Sequence, residues 1–373
     1  MFRPFLLYNL FTLNIMKKLF FIIICSFALN AFAQKTKTEN LIIFTLDGMR
    51  WEEIFGGVDS AILHNPQYTH ERTEIEKKLW DNSAEERRKR LYPFIWNTIA
   101  TKGQLYGNRN KGSFADIANP YRFSYPGYNE IFTGYPDTAV NSNDKIKNKN
   151  ENVLEFINKQ KGYEGNVAAF STWDVIPYIL NKWRSSIVAN TYPDLLELGN
   201  EQSKLLNDLQ FFAAKLHGDA ARPDLVTYMA AREYFKAKKP KVLYISFDET
   251  DEFAHGGKYD EYLGVSNMED AMIADIWNLV QSMPEYKDKT TLIVTCDHGR
   301  GDKIKSQWRD HGQKVEDATQ IWMGVMGPDT KALGENTPGQ VYQKQFAATM
   351  AALLGFKFKP AHPVGEPILS VLK

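Results

Sequence analysis

Apolar residues fall in short continuous runs along the chain, and longer segments with a helical repeat separate these runs. Five runs have the length and near-continuous hydrophobicity of strands that are covered on both faces of a parallel sheet. They occupy residues 41–46, 166–170, 242–247, 291–296 and 321–326. Helical patterns occupy residues 83–101, 153–160, 192–216, 227–238, 268–283 and 343–354. The alternation predicts an α/β fold in which helices flank a doubly wound, mostly parallel sheet.

The remaining segments predict how the chain is organised around that sheet. Residues 34–373 are long enough to form one domain with a large core. Charged and polar stretches at residues 65–90 and 141–152 predict excursions over its surface. Residues 176–240 predict a mostly helical insertion above the sheet.

The first 33 residues have the pattern of a secretory signal peptide. Met-Lys-Lys from Met16 supplies a charged start, residues 19–29 an apolar stretch, and Ala-Phe-Ala ending at Ala33 a cleavage site. The pattern predicts translation from Met16, cleavage near Ala33 and a periplasmic or secreted protein. An uncleaved anchor is the alternative, but the apolar run is short for a bilayer. The sequence after Gln34 contains no apolar run of transmembrane length.

The charge of the chain narrows the classes of binding partner. The 45 basic and 45 acidic residues balance, and removing residues 1–33 takes away three basic residues and no acid, leaving −3. This balance gives no basic field for nucleic acid or for an anionic membrane surface.

Cys296 is the one cysteine left after residues 1–33 are removed, so an internal disulfide is excluded. The core, helped by metal, must therefore hold the fold.

Acidic residues follow three of the predicted strands. Asp47 follows the first strand, Asp248 and Asp251 follow the third, and Asp297 follows the fourth. Because open α/β sheets bind ligands at the carboxyl ends of their strands, we expect these side chains to meet in one cleft. A single aspartate there is usually a helix cap. Three such strand ends, two of them with histidines close by, favour a ligand site.

Three of the seven histidines accompany these acids. His255 lies four residues after Asp251, His298 directly follows Asp297, and His311 lies in Arg-Asp-His-Gly. Mixed Asp and His donors suit zinc or a similar transition metal that keeps coordination positions open for substrate. The other histidines are interpreted as surface or hydrogen-bonded polar residues: His64, His70, His217 and His362.

A serine between these elements is a candidate nucleophile. Ser124 precedes a helix that Pro126 is predicted to open, where backbone N–H groups and the helix dipole favour an anion. Alone, Ser124 would be interpreted as a helix cap. Its place among the acids and histidines favours the nucleophile instead.

Together, these motifs resemble the alkaline phosphatase superfamily, and most closely its type I phosphodiesterase and nucleotide pyrophosphatase branch. They are Leu-Asp-Gly-Met-Arg at 46–50, Ser-Tyr-Pro at 124–126, Asp-x-x-x-His at 251–255, Thr-Cys-Asp-His-Gly at 295–299 and the late His311. The resemblance runs from about residue 41 to residue 355. It implies one alkaline phosphatase-like catalytic domain over residues 34–373, which hydrolyses a small phosphate monoester or diester through a phosphoserine at Ser124.

The resemblance also implies two divalent metal ions, with zinc expected. It assigns Asp251, His255 and His311 to one ion, and Asp47, Ser124, Asp297 and His298 to the other. Asp248 is a rival to Asp251, although the four-residue spacing to His255 favours Asp251. The expected contact to a phosphate oxygen is Asn143, with Asn141 and Asn148 as alternatives.

The chain departs from this branch at the nucleophile, so monoesters and diesters both stay open. Ser-Tyr-Pro-Gly-Tyr replaces the usual Thr-Phe-Pro-Asn-His. Ser-x-Pro also fits the start of a sulfatase motif, but Tyr128 stands where a sulfatase would have arginine. The signal peptide opposes a cofactor-independent phosphoglycerate mutase. Retention of every ligand and of the nucleophile opposes a non-catalytic metal- or phosphate-binding protein.

Overall fold

The computed structural model describes residues 36–217 and 221–372, with the backbone alone for residues 214–217. The predicted signal peptide and the side chain of His217 lie outside the described residues. The strands are β1 Asn40–Leu46, β2 Gln104–Tyr106, β3 Ser113–Asp116, β4 Val167–Ser171, β5 Val188–Thr191, β6 Val242–Phe247, β7 Thr290–Thr295, β8 Met323–Met326 and β9 Gly339–Tyr342. None of the helices in this part of the chain has the length and apolar character needed to cross a bilayer.

Helices lie between the strands along most of the chain. The α-helices are α1 Trp51–Gly56, α2 Ser60–Leu63, α3 Arg72–Leu79, α4 Ala84–Leu91, α5 Ala100–Lys102, α6 Ser124–Thr133, α7 Val153–Asn158, α8 Ile176–Ile179, α9 Lys182–Ser185, α10 Glu201–His217, α11 Asp224–Lys238, α12 Glu249–His255, α13 Tyr259–Ser282 and α14 Phe346–Leu353. A π-helical turn spans Ile95–Ile99, and 3₁₀ turns span Arg109–Lys111, Lys305–Arg309, Glu316–Thr319, Gln343–Gln345 and Leu369–Val371.

Seven strands form the main sheet in the order β2-β8-β7-β1-β6-β4-β5. Within this sheet β8 runs opposite to the other six strands, which are parallel to one another, so the prediction of a mostly parallel sheet is confirmed. β1 lies between β6 and β7, with Leu46 opposite Phe247 and Thr45 opposite Thr295. This register places the carboxyl ends of the three strands side by side. β3 and β9 form a separate parallel pair.

The three central strands are buried along their whole length, which explains their continuous apolar pattern. All five predicted strands are present, with ends shifted by up to two residues. The short strands β2, β3, β5 and β9 were not predicted, because three or four residues of mixed polarity give no clear period.

Two of the predicted helices differ from the structure at proline residues. The helix predicted over residues 83–101 is interrupted at Tyr92, because the following Pro93 lacks the N–H that would continue it, and helical structure resumes over residues 93–102. The helix predicted from residue 192 begins only at Glu201, after Pro193 and after Gly199, whose φ of 70° is left-handed. The polar excursion at residues 65–90 also contains helices α3 and α4, which are anchored by a few buried apolar side chains.

The segment from 176 to 240 contains helices α8 to α11, but it also contains a strand. β5 pairs in parallel with β4 and extends the edge of the main sheet. The segment therefore contributes to the sheet itself, in addition to the helices predicted above it. α11 packs against β4 and β6, and Asp224 at its start accepts the backbone N–H of Asp248, so the beginning of α11 lies at the carboxyl end of β6.

Candidate active site

The predicted metal ligands meet at the carboxyl ends of β1, β6 and β7. Asp47 follows β1, α12 carries Asp251 and His255 after β6, and Asp297 is the second residue after β7. The ligand atoms form two groups, in each of which they lie within 4.8 Å of one another. One group is Asp251, His298 and His311, and the other is Asp47, Asp297 and His298, so the predicted ligand His255 is in neither group.

Asp47 and Asp297 each have one carboxylate oxygen held by a donor and one without a partner. Tyr128 donates its hydroxyl to Asp47 Oδ2 at 2.9 Å, and Gly48 donates its backbone N–H to Asp297 Oδ1 at 3.0 Å. Among the described residues, buried Asp47 Oδ1 and Asp297 Oδ2 have no hydrogen-bond partner. Burial, followed by repulsion from neighbouring carboxylates, raises the pKa of both groups well above the ordinary range. A cation between them would relieve both effects.

His298 presents an unprotonated nitrogen to these acids. Its Nδ1 lies 3.0 Å from the carbonyl oxygen of Gly299, which can only accept, so Nδ1 carries the proton. Nε2 then faces Asp47 Oδ1 and Asp297 Oδ2, each at 3.4 Å. Burial lowers the pKa of His298 to about 4, which favours this neutral form. A backbone carbonyl that fixes the tautomer is typical of a metal-binding histidine.

Asp251, His255 and His311 form the more accessible side of the site. His255 Nε2 lies 3.2 Å from Asp251 Oδ2 and 2.9 Å from His311 Nε2, so the two imidazoles converge. Burial and the neighbouring His298 lower the pKa of His311 to about 2. Burial alone would raise the pKa of Asp251, but the guanidinium of Arg300 holds it below the ordinary value.

Asp248 does not belong to either group of ligand atoms. It is the residue before α12, and its backbone N–H donates to Asp224 Oδ1 at 2.9 Å. Burial and the charge of Asp47 raise the pKa of its carboxyl. Of the two rivals after β6, the geometry thus brings Asp251 into the cluster.

Ser124 is the first residue of α6 and lies against the cluster. Its Oγ is 3.4 Å from His298 Nε2, and the residue is 6% exposed. A Cβ at Gly127 would lie 2.3 Å from the carbonyl oxygen of Asp297, so glycine permits this close approach. The helix begins two residues earlier than predicted, because Pro126 is tolerated anywhere in the first turn, where its missing N–H has no partner.

Asn143 lies beside the start of the same helix. Its Oδ1 accepts the backbone N–H of Tyr125 at 2.9 Å, and its Nδ2 has no hydrogen-bond partner among the described residues. The alternative Asn148 is buried and donates to Asn129 Oδ1 at 3.0 Å. Of these two, Asn143 is the one that contacts the start of α6, next to Ser124.

Two site residues were not identified from the sequence. Tyr128 was noted only as a departure from the family motif, yet its hydroxyl binds Asp47. Arg300 contacts Asp251, and its position in Asp-His-Gly-Arg was the one signal available. Among the remaining histidines, His64 and His70 are exposed, and His362 bonds backbone carbonyls. These positions agree with the interpretation of the three as polar residues outside the site. Cys296 is buried, as expected of core packing.

The sequence matches the family described as type I phosphodiesterase / nucleotide pyrophosphatase over residues 58–327. That range contains Ser124 and the candidate ligands from Asp251 to His311, and it begins after Asp47. A search of curated proteins found no match.

Three solved structures illustrate the similarity of fold. The alkaline phosphatase PafA is 10% identical, with a TM-score of 0.57 over 91% of this chain and 99% of PafA. The lipoteichoic acid synthase LtaP from Listeria monocytogenes is 11% identical, with a TM-score of 0.53 over 89% of this chain and 75% of LtaP. The phosphonate monoester hydrolase of Agrobacterium radiobacter is 13% identical, with a TM-score of 0.55 over 90% of this chain and 77% of that enzyme.

The family match spans most of the chain, and the sheet and helices are those of an alkaline phosphatase-like fold. The chain therefore belongs to the type I phosphodiesterase / nucleotide pyrophosphatase family.

Proposed function

We propose that the chain is an exported two-metal hydrolase of phosphate esters, with Ser124 as nucleophile and a phosphoserine intermediate. The observation that carries the proposal is the position of Ser124. Its Oγ, at the N-terminus of a ten-residue helix, lies 3.4 Å from His298 Nε2. His298 in turn belongs to both groups of candidate ligands.

The donor atoms fit divalent metal. Two buried carboxylate oxygens without partners, on Asp47 and Asp297, face the unprotonated Nε2 of His298. Such an arrangement is unfavourable unless a cation compensates it. Asp47, Ser124, Asp297 and His298 would hold one ion, and Asp251, His255 and His311 the other. Mixed carboxylate and imidazole donors favour zinc. When bound, the ions would stabilise negative charge on the serine oxygen and on the phosphoryl group.

The protein groups then act in two displacements at phosphorus. Ser124 Oγ gives up its proton and attacks the ester, so that an Oγ–P bond forms as the bond to the leaving oxygen breaks and that oxygen takes a proton. Water next attacks the phosphoserine, the Oγ–P bond breaks, and Ser124 Oγ regains a proton. Asn143 Nδ2 would donate to a non-bridging oxygen and orient the phosphoryl group. Gly127 keeps the start of α6 close to Asp297.

A comparison of substrates tests this proposal. We expect the zinc-loaded protein to give its highest kcat/KM with a phosphate monoester or diester, and lower values with a phosphonate monoester and a sulfate ester. Tyr128 binds Asp47 where a sulfatase would carry arginine, which opposes sulfate as the preferred substrate. The highest value on the sulfate ester would contradict the proposal. Inactivity on all four with metal bound would favour a binding protein.

Export is a separate part of the proposal and is tested separately. The pattern that ends at Ala33 predicts a mature protein that begins at Gln34. N-terminal sequencing of protein from the periplasm or medium should therefore start at Gln34. Recovery of the intact N-terminus on protein in the cytosolic fraction would contradict export and reopen the mutase alternative.

A further inference from the structure

Arg300 is a fully buried arginine that connects the segments of the site. Its Nε donates to the carbonyl oxygen of Gly48 at 3.0 Å, and its Nη1 donates to the carbonyl oxygen of Arg309 at 2.7 Å. Its Nη2 donates to the carboxylate of Asp251. The three nitrogens of one guanidinium thus bind three different segments of the chain.

Each of those segments carries a candidate metal ligand. Gly48 directly follows Asp47, Arg309 precedes His311 by two residues, and Asp251 is itself a ligand. Arg300 lies two residues after His298, so its own segment is the fourth. The ligands come from positions up to 264 residues apart in sequence, between Asp47 and His311. The hydrogen bonds of Arg300 therefore connect all four of the segments that carry candidate ligands.

The space for Arg300 is provided by Gly48. A Cβ at this residue would lie 2.7 Å from Arg300 Nη2 and 2.9 Å from Arg300 Nε. Gly48 also has a φ of 57°, which side chains other than glycine rarely adopt. The turn after β1 is therefore shaped both to donate to Asp297 and to accept the guanidinium.

We infer that Arg300 is a positioning residue for metal binding, which fixes Asp47, Asp251 and His311 relative to one another before the ions bind. The inference rests on the proposed two-metal function and adds a residue to it. Three directional hydrogen bonds carry the effect, so the planar guanidinium is required and a positive charge alone does not suffice. Residues that orient metal ligands typically contribute about 10- to 100-fold to metal affinity.

The test measures zinc affinity, by competition with a chelator of known affinity, in the full-length mature protein. Arg300→Lys keeps the positive charge but lacks the planar guanidinium, and Arg300→Met lacks both the charge and the guanidinium. Arg222→Lys is the matched control, because Arg222 is also buried and bonds Asn190, Gln210 and Thr227, none of which is a candidate ligand. Circular dichroism of the metal-free proteins checks that each variant is folded.

We expect both Arg300 variants to bind zinc at least about tenfold more weakly than the wild type, and Arg222→Lys to bind it as the wild type does. Zinc affinity restored by Arg300→Lys would overturn the inference, since charge would then suffice. Unchanged affinity in both variants, or failure of both to fold, would also overturn it and assign Arg300 to folding alone. A wild type that binds no zinc would instead defeat the proposed function, so the two failures are distinguishable.

Discussion

The candidate ligands share one arrangement at the scale of single residues. Each of three has one polar atom held by a fixed partner and another turned to the cluster. Asp47 is held by Tyr128, Asp297 by the N–H of Gly48, and His298 by the carbonyl of Gly299. Fixed partners of this kind set the orientation and the tautomer before any ion binds. The site is therefore largely preorganised by hydrogen bonds that do not involve the metal.

Asn143 provides a prediction at this scale. Asn143→Asp keeps the oxygen that accepts the Tyr125 N–H, but it replaces the amide donor with a negatively charged oxygen. We expect kcat/KM for the phosphate ester to fall about tenfold or more, mainly through KM, because a charge-assisted hydrogen bond becomes a repulsion. Steady-state kinetics measure the effect.

The comparison variant is Asn141→Asp, which puts the same charge on the same exposed loop two residues away and also tests the alternative phosphate contact Asn141. It should change kcat/KM by less than about twofold, because surface charges interact weakly in water. Equal losses in the two variants would assign the effect to the charge of the loop and remove Asn143 from the substrate site.

At the scale of elements, the short helix α12 is held in place by a side chain at the start of α11. Asp224, at the start of α11, accepts the N–H of Asp248 at 2.9 Å and the N–H of Glu249 at 3.0 Å. α12 has seven residues and carries both Asp251 and His255. A side chain from another helix therefore caps the element that presents two ligands.

Removal of this cap should affect both stability and metal binding. Asp224→Ala is expected to lower the free energy of unfolding by about 1–2 kcal/mol and to weaken zinc binding. Ser83→Ala removes a cap from α4, where Ser83 accepts the N–H of Glu86 at 3.4 Å, and should leave zinc binding unchanged. Urea unfolding and zinc titration measure the two effects. Unaltered zinc affinity in Asp224→Ala would limit the cap to a structural role.

The long buried strands and the residues that follow them could be predicted from sequence. Continuous apolar runs identified β1, β6 and β7, and parallel strands place the next residues at one edge of the sheet. The short strands could not be predicted, nor could Tyr128, Arg300 and Asp224. Tyr128 and Arg300 contact residues that are 81 and 49 positions away in sequence, and Asp224 accepts a backbone N–H of another element. The local hydrophobic periodicity of the sequence carries no information about such contacts.

At the scale of the whole molecule, the fold concentrates ionisable groups at one end of the sheet. Asp47 and Asp297 have raised pKa values, so in the metal-free protein they stabilise the fold below the ordinary carboxyl range, and this stability is lost as pH rises. His298 has a pKa lowered to about 4, so its contribution is present above the ordinary imidazole pKa and is lost as pH falls. Zinc binding requires both carboxyl groups to be ionised and the imidazole to be neutral.

The stabilisation by zinc should therefore increase with pH. At a pH of about 8 the ligands carry fewer protons than at about 5.5, so zinc displaces fewer of them on binding, and the ions relieve the repulsion between carboxylates. We expect the zinc-induced rise in Tm to be larger at the higher pH by about 2 °C or more. Differential scanning calorimetry with and without zinc measures it. A larger rise at the lower pH would contradict the assignment of these acids as ligands.

The most direct test of the account is a search for phosphate on Ser124. Enzyme quenched in acid during turnover of a phosphate ester is digested, and the peptide that contains residues 124–128 is analysed by mass spectrometry, with Ser124→Ala as control. The account predicts one added phosphate on Ser124 in the wild type, none in the variant, and a loss of about 10³-fold or more in kcat in the variant. Near-normal turnover by Ser124→Ala with both metals bound, and no phosphopeptide in the wild type, would contradict it.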